Sequence, residues 1–148
     1  MRILLAASLL VLGCSDGSGL LGPVPPNLLN SPATITVDGT PIRLGAAATV
    51  DPKLHLNAIL GTTNLTPWPA GATTGRVWVI RNGVAWSSET APDPRALPLP
   101  LGAKAVIATG TGPNWPVGDS VDVVMEVLDG HGSTQLLRAP RSAIFAAN

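Results

Sequence analysis

The stretch that decides the fold is Ser120–Leu128, which reads Ser-Val-Asp-Val-Val-Met-Glu-Val-Leu. Its first alternating set of side chains is wholly apolar and consists of Val121, Val123, Met125 and Val127. The opposite set includes Asp122 and Glu126 and is expected to form a solvated face. A period of two with one apolar face is typical of a half-buried β-strand. The turn-forming Asp129-Gly130-His131-Gly132 follows, so residues 133–139 are predicted to return as the second strand of an antiparallel hairpin.

A second hairpin is predicted around Asn82-Gly83, a dipeptide that strongly favours a two-residue turn. It joins residues 76–81 to residues 84–88, and both segments are rich in the β-branched and aromatic residues that favour strands. A two-residue turn also fixes the register of the pair. We therefore expect Val79 to lie opposite Trp86, which places a β-branched residue across from an aromatic one.

The remaining strands are predicted from shorter patterns. Apolar residues alternate with polar ones in residues 54–60, and residues 103–108 form an apolar run between glycines. Residues 34–37 and 41–44 are expected to pair around a turn at Asp38-Gly39. About seven or eight short strands result, separated by loops rich in glycine and proline and without a helix longer than two turns. This pattern predicts an all-β fold, an antiparallel β-sandwich.

The last third of the chain resembles a known type of module. Pro116-Val117-Gly118-Asp119 before the decisive strand and Asp129-Gly130 after it resemble the closing hairpin of bacterial immunoglobulin-like and fibronectin-III-like modules. The resemblance implies an immunoglobulin-like β-sandwich over residues 33–148. A further similarity, to small bacterial sandwich-type proteinase inhibitors, rests on residues 77–86 and 116–121.

The first residues have the pattern of an export signal. Met1-Arg2 provides a short positive start, and residues 3–12 are almost entirely apolar. Ten helical residues span only about 15 Å, half the thickness of a bilayer's hydrocarbon core. The run Val11-Leu12-Gly13-Cys14 resembles the lipobox of bacterial lipoproteins. That resemblance implies removal of residues 1–13, lipidation of Cys14 and attachment of the protein to a membrane of the bacterial cell envelope.

Residues 14–32 are predicted to be a tether between the lipidated cysteine and the folded domain. Glycine and serine dominate residues 15–19, and Gly22-Pro23-Val24-Pro25-Pro26 is a stiffer, extended stretch. Ser15, directly after the cysteine, resembles the residue type that directs lipoproteins to the outer membrane. We therefore expect the domain to begin near residue 33 and to face the periplasm or the cell surface.

Composition argues against several classes of partner and site. The 148 residues carry 9 basic and 9 acidic side chains, so no basic surface is available for nucleic acid and none is expected as a partner. Two histidines, His55 and His131, and a single cysteine are too few for a metal site, and no metal or cofactor is expected. No serine lies in a recognisable nucleophile elbow, so no catalytic residues are predicted.

Two tryptophans are the candidate binding residues. Trp68 lies between Pro67 and Pro69, and Trp115 directly precedes Pro116. A stiff loop that presents an indole can grip a sugar ring or a peptide, which makes Trp68 and Trp115 candidates for contact with a glycan or a protein. The alternative is that each indole folds back and caps an open end of the domain.

Arg138 and Arg141 lie beside the closing strand. We expect them to pair with Asp122 or Glu126 on the strand's polar face. Exposed pairs of this kind contribute less than about 1 kcal/mol each.

Together these patterns predict a non-catalytic cell-envelope lipoprotein whose immunoglobulin-like domain is a binding or structural module for protein or glycan. A secreted proteinase-inhibitor-like protein, or an accessory subunit of an envelope enzyme, is the alternative and would present a protruding loop such as residues 89–100. A hydrolase is the most distant candidate. It would hold His55 or His131 beside a carboxylate and a serine in one pocket.

Overall fold

The computed structural model describes residues 19–148, so the predicted signal and Cys14 lie outside the described residues. The described part is all-β, with two single 3-10 turns at Leu28–Asn30 and Thr63–Leu65. Its strands are β1 (Leu20–Pro23), β2 (Ile35–Val37), β3 (Thr40–Val50), β4 (Leu54–Thr62), β5 (Thr73–Arg81), β6 (Val84–Pro92), β7 (Ala103–Ala108), β8 (Ser120–Leu128), β9 (Thr134–Arg138), β10 (Ser142–Ala143) and β11 (Phe145–Ala146).

Strands β2 to β9 are the eight strands that the sequence predicts, and both predicted hairpins are confirmed. Val79 lies opposite Trp86, as the two-residue turn requires. Asn82 and Gly83 have φ values of 47° and 77°, the left-handed conformation that this turn demands of both residues. Local turn chemistry therefore fixes the register of the central hairpin.

All described strands belong to one sheet, which nearly closes on itself. The main path runs β10-β8-β5-β6-β7-β4-β3-β11, with β9 also on β8, β2 also on β3 and β1 also on β6. Every pairing among the described strands is antiparallel except that of β11 with β3. Strand β6 belongs to both halves of the sheet, because its first residues pair with β5 and its last three pair with β7.

The C-terminal residues complete the closure. Strand β10 pairs with β8 at one end of the path, and β11 pairs with β3 at the other. Ile144 lies between these two strands, and its side chain is 1% exposed. Its backbone N–H donates to the carbonyl of Asp119, and its carbonyl accepts from the N–H of Gly118. Five residues of chain thus connect the two ends of the sheet, with one buried side chain between them.

The core fills the space between the two halves of the sheet. Strands β2 to β9 contribute apolar residues to it, as β4 does with Leu54, Leu56, Ala58 and Leu60. Trp86 is the largest fully buried side chain of this core. Gly112 allows its loop to cross the indole closely, because a Cβ there would lie 3.0 Å from Cδ2 of Trp86. The interior is therefore packed around the Trp86 indole.

The structure differs from the predicted tether, because residues 20–31 pack on the domain. Strand β1 pairs with β6, and Leu28 is 3% exposed in a second apolar cluster. That cluster lies on the outer face of the sheet and contains Leu28, Ile80, Ala85 and Val124. The physical reason is that burial of apolar side chains is favourable, and it outweighs the conformational entropy that this glycine- and proline-containing stretch loses when it packs.

The outer face of β8 is consequently not solvated as expected. Asp122 is buried to 9% side-chain exposure, and its Oδ1 accepts from Nη2 of Arg138 at 2.7 Å. Arg138 also donates from Nη1 to the carbonyl of Leu29, and its backbone N–H donates to the carbonyl of Pro32 at 2.8 Å. The expected Asp122–Arg138 pair is thus confirmed, and it ties the N-terminal segment to the sheet. Glu126 instead accepts the backbone N–H of Arg76 at 2.9 Å.

Replacing Leu28 by alanine tests whether this segment is part of the fold. We expect Leu28→Ala to lower the free energy of unfolding by about 2–4 kcal/mol, because truncation of a buried leucine side chain leaves a cavity. Leu29→Ala is the matched control, since Leu29 is 39% exposed and its loss should cost less than about 1 kcal/mol. Urea denaturation followed by circular dichroism measures both. Equal, small losses would mean that residues 20–31 behave as a tether.

Candidate functional site

Trp115 is packed into the core. Its side chain is 8% exposed and belongs to the main buried cluster. The guanidinium carbon of Arg81 lies 5.8 Å from the centre of its ring, and Arg81 is in turn paired with Asp119. A cation over the ring face is a favourable arrangement and covers the indole further. The geometry is that of a cap at the end of β5, with little of the ring available to a ligand.

Trp68 caps the other end of the same strand. It is half-buried against the core, and its indole N–H donates to the carbonyl of Ala72, directly before β5, at 3.0 Å. The Nζ atom of Lys104 lies 5.5 Å from the ring centre. The nine residues of β5 separate the two caps by about 26 Å, at 3.3 Å per residue. The structure therefore does not bring the two candidate tryptophans together, and both have the arrangement of the capping alternative.

His131 lies in the turn between β8 and β9. The Oδ1 atom of Asp129 accepts the backbone N–H of Ser133 at 2.9 Å and that of His131 at 2.8 Å. These two hydrogen bonds lower the pKa of the Asp129 carboxyl below its ordinary value of 3.8, and the bond from Ser133 has the larger effect. The His131 ring is exposed, with Nε2 3.6 Å from Oδ1 of Asp38 in the neighbouring turn.

His55 lies in a different place, in an open cleft of about 840 Å³. Thr49 is its partner across β3 and β4, and Asp51 and Arg95 also line the cleft. From Thr49 to Thr40, next to the turn that His131 approaches, β3 extends about 30 Å at 3.3 Å per residue. The two histidines therefore belong to separate sites. Within residues 19–148 no three His, Cys, Asp or Glu side chains are grouped as a metal site requires.

The most distinctive surface is an apolar groove on the outer face of β3, β4 and β7. Gly45, Ile59 and Ala105 lie side by side across the three strands. Residues 93–102, which connect β6 to β7, cross beside this row and leave a groove of about 550 Å³ lined by Leu97 and other mostly apolar side chains. Because glycine and alanine dominate the strand face, the sheet surface here is flat and uncharged.

Backbone hydrogen bonds fix both ends of the connection beside this groove. The N–H of Asp93 donates to the carbonyl of Ala105 at 3.0 Å. The N–H of Ala103 donates to the carbonyl of Pro100 at 3.1 Å. Between these points Leu97 is 81% exposed, and Ile59 on the sheet below is 50% exposed. The three prolines of the connection restrict its conformations, so it presents Leu97 at low entropic cost.

The expected protruding loop at residues 89–100 is shorter than predicted, because β6 continues to Pro92. The groove itself was missed by reasoning from the sequence. Its signal is the run Gly45-Ala46-Ala47 opposite the exposed Ile59, which only becomes a surface once the three strands are in register.

Comparison of the chain with protein-family models, with curated proteins and with solved structures finds no match. Within the described residues no helix is long and apolar enough to cross a membrane. Cys14, the predicted lipidation site, lies outside the described residues.

Replacing each capping tryptophan tests its structural role. We expect Trp115→Ala to lower the free energy of unfolding by about 3–5 kcal/mol, because it removes a buried indole. Trp68→Ala should cause a smaller loss, since that ring is only half-buried. Thermal unfolding followed by circular dichroism measures both. Wild-type stability in the Trp115 variant would contradict the capping role and favour a binding role.

Proposed function

We propose that this protein is a non-catalytic lipoprotein of the bacterial cell envelope. It is attached to the membrane through Cys14 and carries an immunoglobulin-like β-sandwich. The observation that carries the proposal is the lipobox-like run Val11-Leu12-Gly13-Cys14, which follows a short positive start and the apolar residues 3–12.

The domain acts as a binding or structural module in this proposal. Two halves of antiparallel sheet around one core are what a β-sandwich requires. The immunoglobulin-like type rests on the resemblance of Pro116-Val117-Gly118-Asp119 and Asp129-Gly130 to the closing hairpin of such modules. Since Trp68 and Trp115 are packed against the core, a glycan platform built on these indoles has less support than a protein partner. The apolar groove beside Leu97 is the surface that best suits such a partner.

The second candidate is an inhibitor-like protein or an accessory subunit of an envelope enzyme. The exposed connection of residues 93–102 favours it, because a stiff, proline-rich segment fixed at both ends can enter a partner's cleft with little loss of entropy. Both candidates therefore depend on Leu97 and its neighbours, and they differ in whether the partner is an enzyme.

Metabolic labelling with a fatty-acid analogue tests the attachment. We expect the wild-type chain to incorporate the label and Cys14→Ser to incorporate none, because a serine offers no thiol for lipidation. Gel mobility should also show that the Cys14→Ser chain keeps its signal. Equal labelling of both chains would contradict lipidation at Cys14.

Affinity capture from envelope extract tests the binding surface. We expect Leu97→Asp to lose a partner that the wild type retains, because a carboxylate in an apolar contact is left without a compensating partner. Leu65→Asp is the matched control, since Leu65 is also strongly exposed, at 66%, but lies at the end of β4 outside the groove. Identification of the captured protein as an enzyme, with inhibition by the purified chain, would favour the second candidate. Retention of every partner by Leu97→Asp would contradict a role for the groove.

A further inference from the structure

We propose that the domain lies directly on the bilayer surface, with Leu20 and Leu21 in contact with the lipid. This inference rests on the proposed attachment at Cys14. In this arrangement the domain is held close to the bilayer in a single orientation. The predicted tether of residues 14–32 would instead let it move at a distance from the bilayer.

The first step is the length of chain between the anchor and the fold. The N–H of Gly19 donates to the carbonyl of Thr111 at 3.2 Å, and β1 follows at once on β6. Only five residue steps separate Cys14 from Gly19, which is at most about 18 Å of fully extended chain. A tether of residues 14–32 would have been more than three times as long.

The second step is the position of this attachment point in the fold. The N–H of Gly112, next to Thr111, donates to the carbonyl of Leu54, the first residue of β4. The opposite end of β4 lies about 26 Å away, at 3.3 Å per residue. If that opposite end faced the bilayer, Gly19 would be further from the membrane than the five-residue link reaches. The short link therefore keeps the Gly19 end of the domain towards the bilayer.

The third step is the chemistry of that end. Leu20 and Leu21 are 67% and 59% exposed, although they are the first residues of a paired strand. Val84, which lies opposite Pro23 on the neighbouring strand, is 39% exposed. Strand β1 carries no charged side chain, and removal of residues 1–13 takes away one of the 9 basic residues, Arg2, which leaves the chain without an excess of positive charge. These side chains suit the apolar boundary of a lipid surface and offer nothing specific to an anionic headgroup.

The test uses the chain of residues 14–148, which retains every described residue, coupled through the Cys14 thiol to a maleimide-bearing lipid in phosphatidylcholine nanodiscs. Methyl NMR spectra are recorded with and without a lipid that carries a nitroxide near its headgroup. We expect loss of most of the Leu20 and Leu21 methyl signal when the nitroxide is present. Leu65, equally exposed at the far end of β4, should keep its signal. Unchanged Leu20 and Leu21 signals would overturn the proposal.

A matched variant separates docking from simple nearness to the anchor. The double variant Leu20→Ser/Leu21→Ser keeps the same link, so any change in the paramagnetic broadening of Val84 reports lost contact with the lipid. We expect at least a twofold reduction of Val84 broadening in this variant and none in Leu65→Ser. Equal Val84 broadening in all three chains would overturn docking. Signal loss that occurs without nitroxide and grows with the number of chains per disc would show contact between copies, which also overturns it.

Failure of this proposal and failure of the proposed function give different results. Chemical coupling provides the anchor whether or not a cell lipidates Cys14, so the NMR result reports on docking alone. Absence of fatty-acid labelling in cells would instead contradict the proposed attachment and would leave the docking measurement unaffected.

Discussion

The fold depends on the sharing of one strand between the two halves of the sheet. The first residues of β6 pair with β5, and its last three pair with β7, so the sheet turns over on itself without a break in its hydrogen bonds. Trp86 on this strand points into the space that results and is the largest side chain buried there. Closure by Ile144 and its flanking short strands follows from this arrangement, because the ends of the path then lie within five residues of chain.

The outer surfaces of the two halves have different roles because different segments cover them. Leu28 of the N-terminal segment covers Ile80, Ala85 and Val124. Arg138 holds this segment in place, because it donates both to Asp122 on β8 and to the carbonyl of Leu29. Within the described residues no such segment covers the row of Gly45, Ile59 and Ala105 on β3, β4 and β7, and the connection beside it leaves the apolar groove open. One outer face thus contributes to stability, and the other is available for a partner.

The two proposals use different surfaces of the domain. Strand β1 pairs with β6, so the proposed anchor at Cys14 would be joined to the fold by a short link that orients the domain. The groove beside Leu97 lies on the outer face of β4 around Ile59, some residues along from the Leu54 end where the link joins. A lipid surface at one end and a partner surface further along the strands are compatible, because they use different exposed leucines.

The sequence by itself determined the all-β class, the eight strands β2 to β9 and the register of Val79 against Trp86, because alternation and turn chemistry act between near neighbours in the chain. It also indicated that Arg138 pairs with Asp122 or Glu126 across a predicted hairpin, and the structure shows that the partner is Asp122. Only the tertiary structure decided that residues 20–31 pack on the sheet, that Trp68 and Trp115 turn inwards, and that Gly45, Ile59 and Ala105 form one surface. Each of these depends on contacts between residues distant in sequence, whose burial no local pattern specifies.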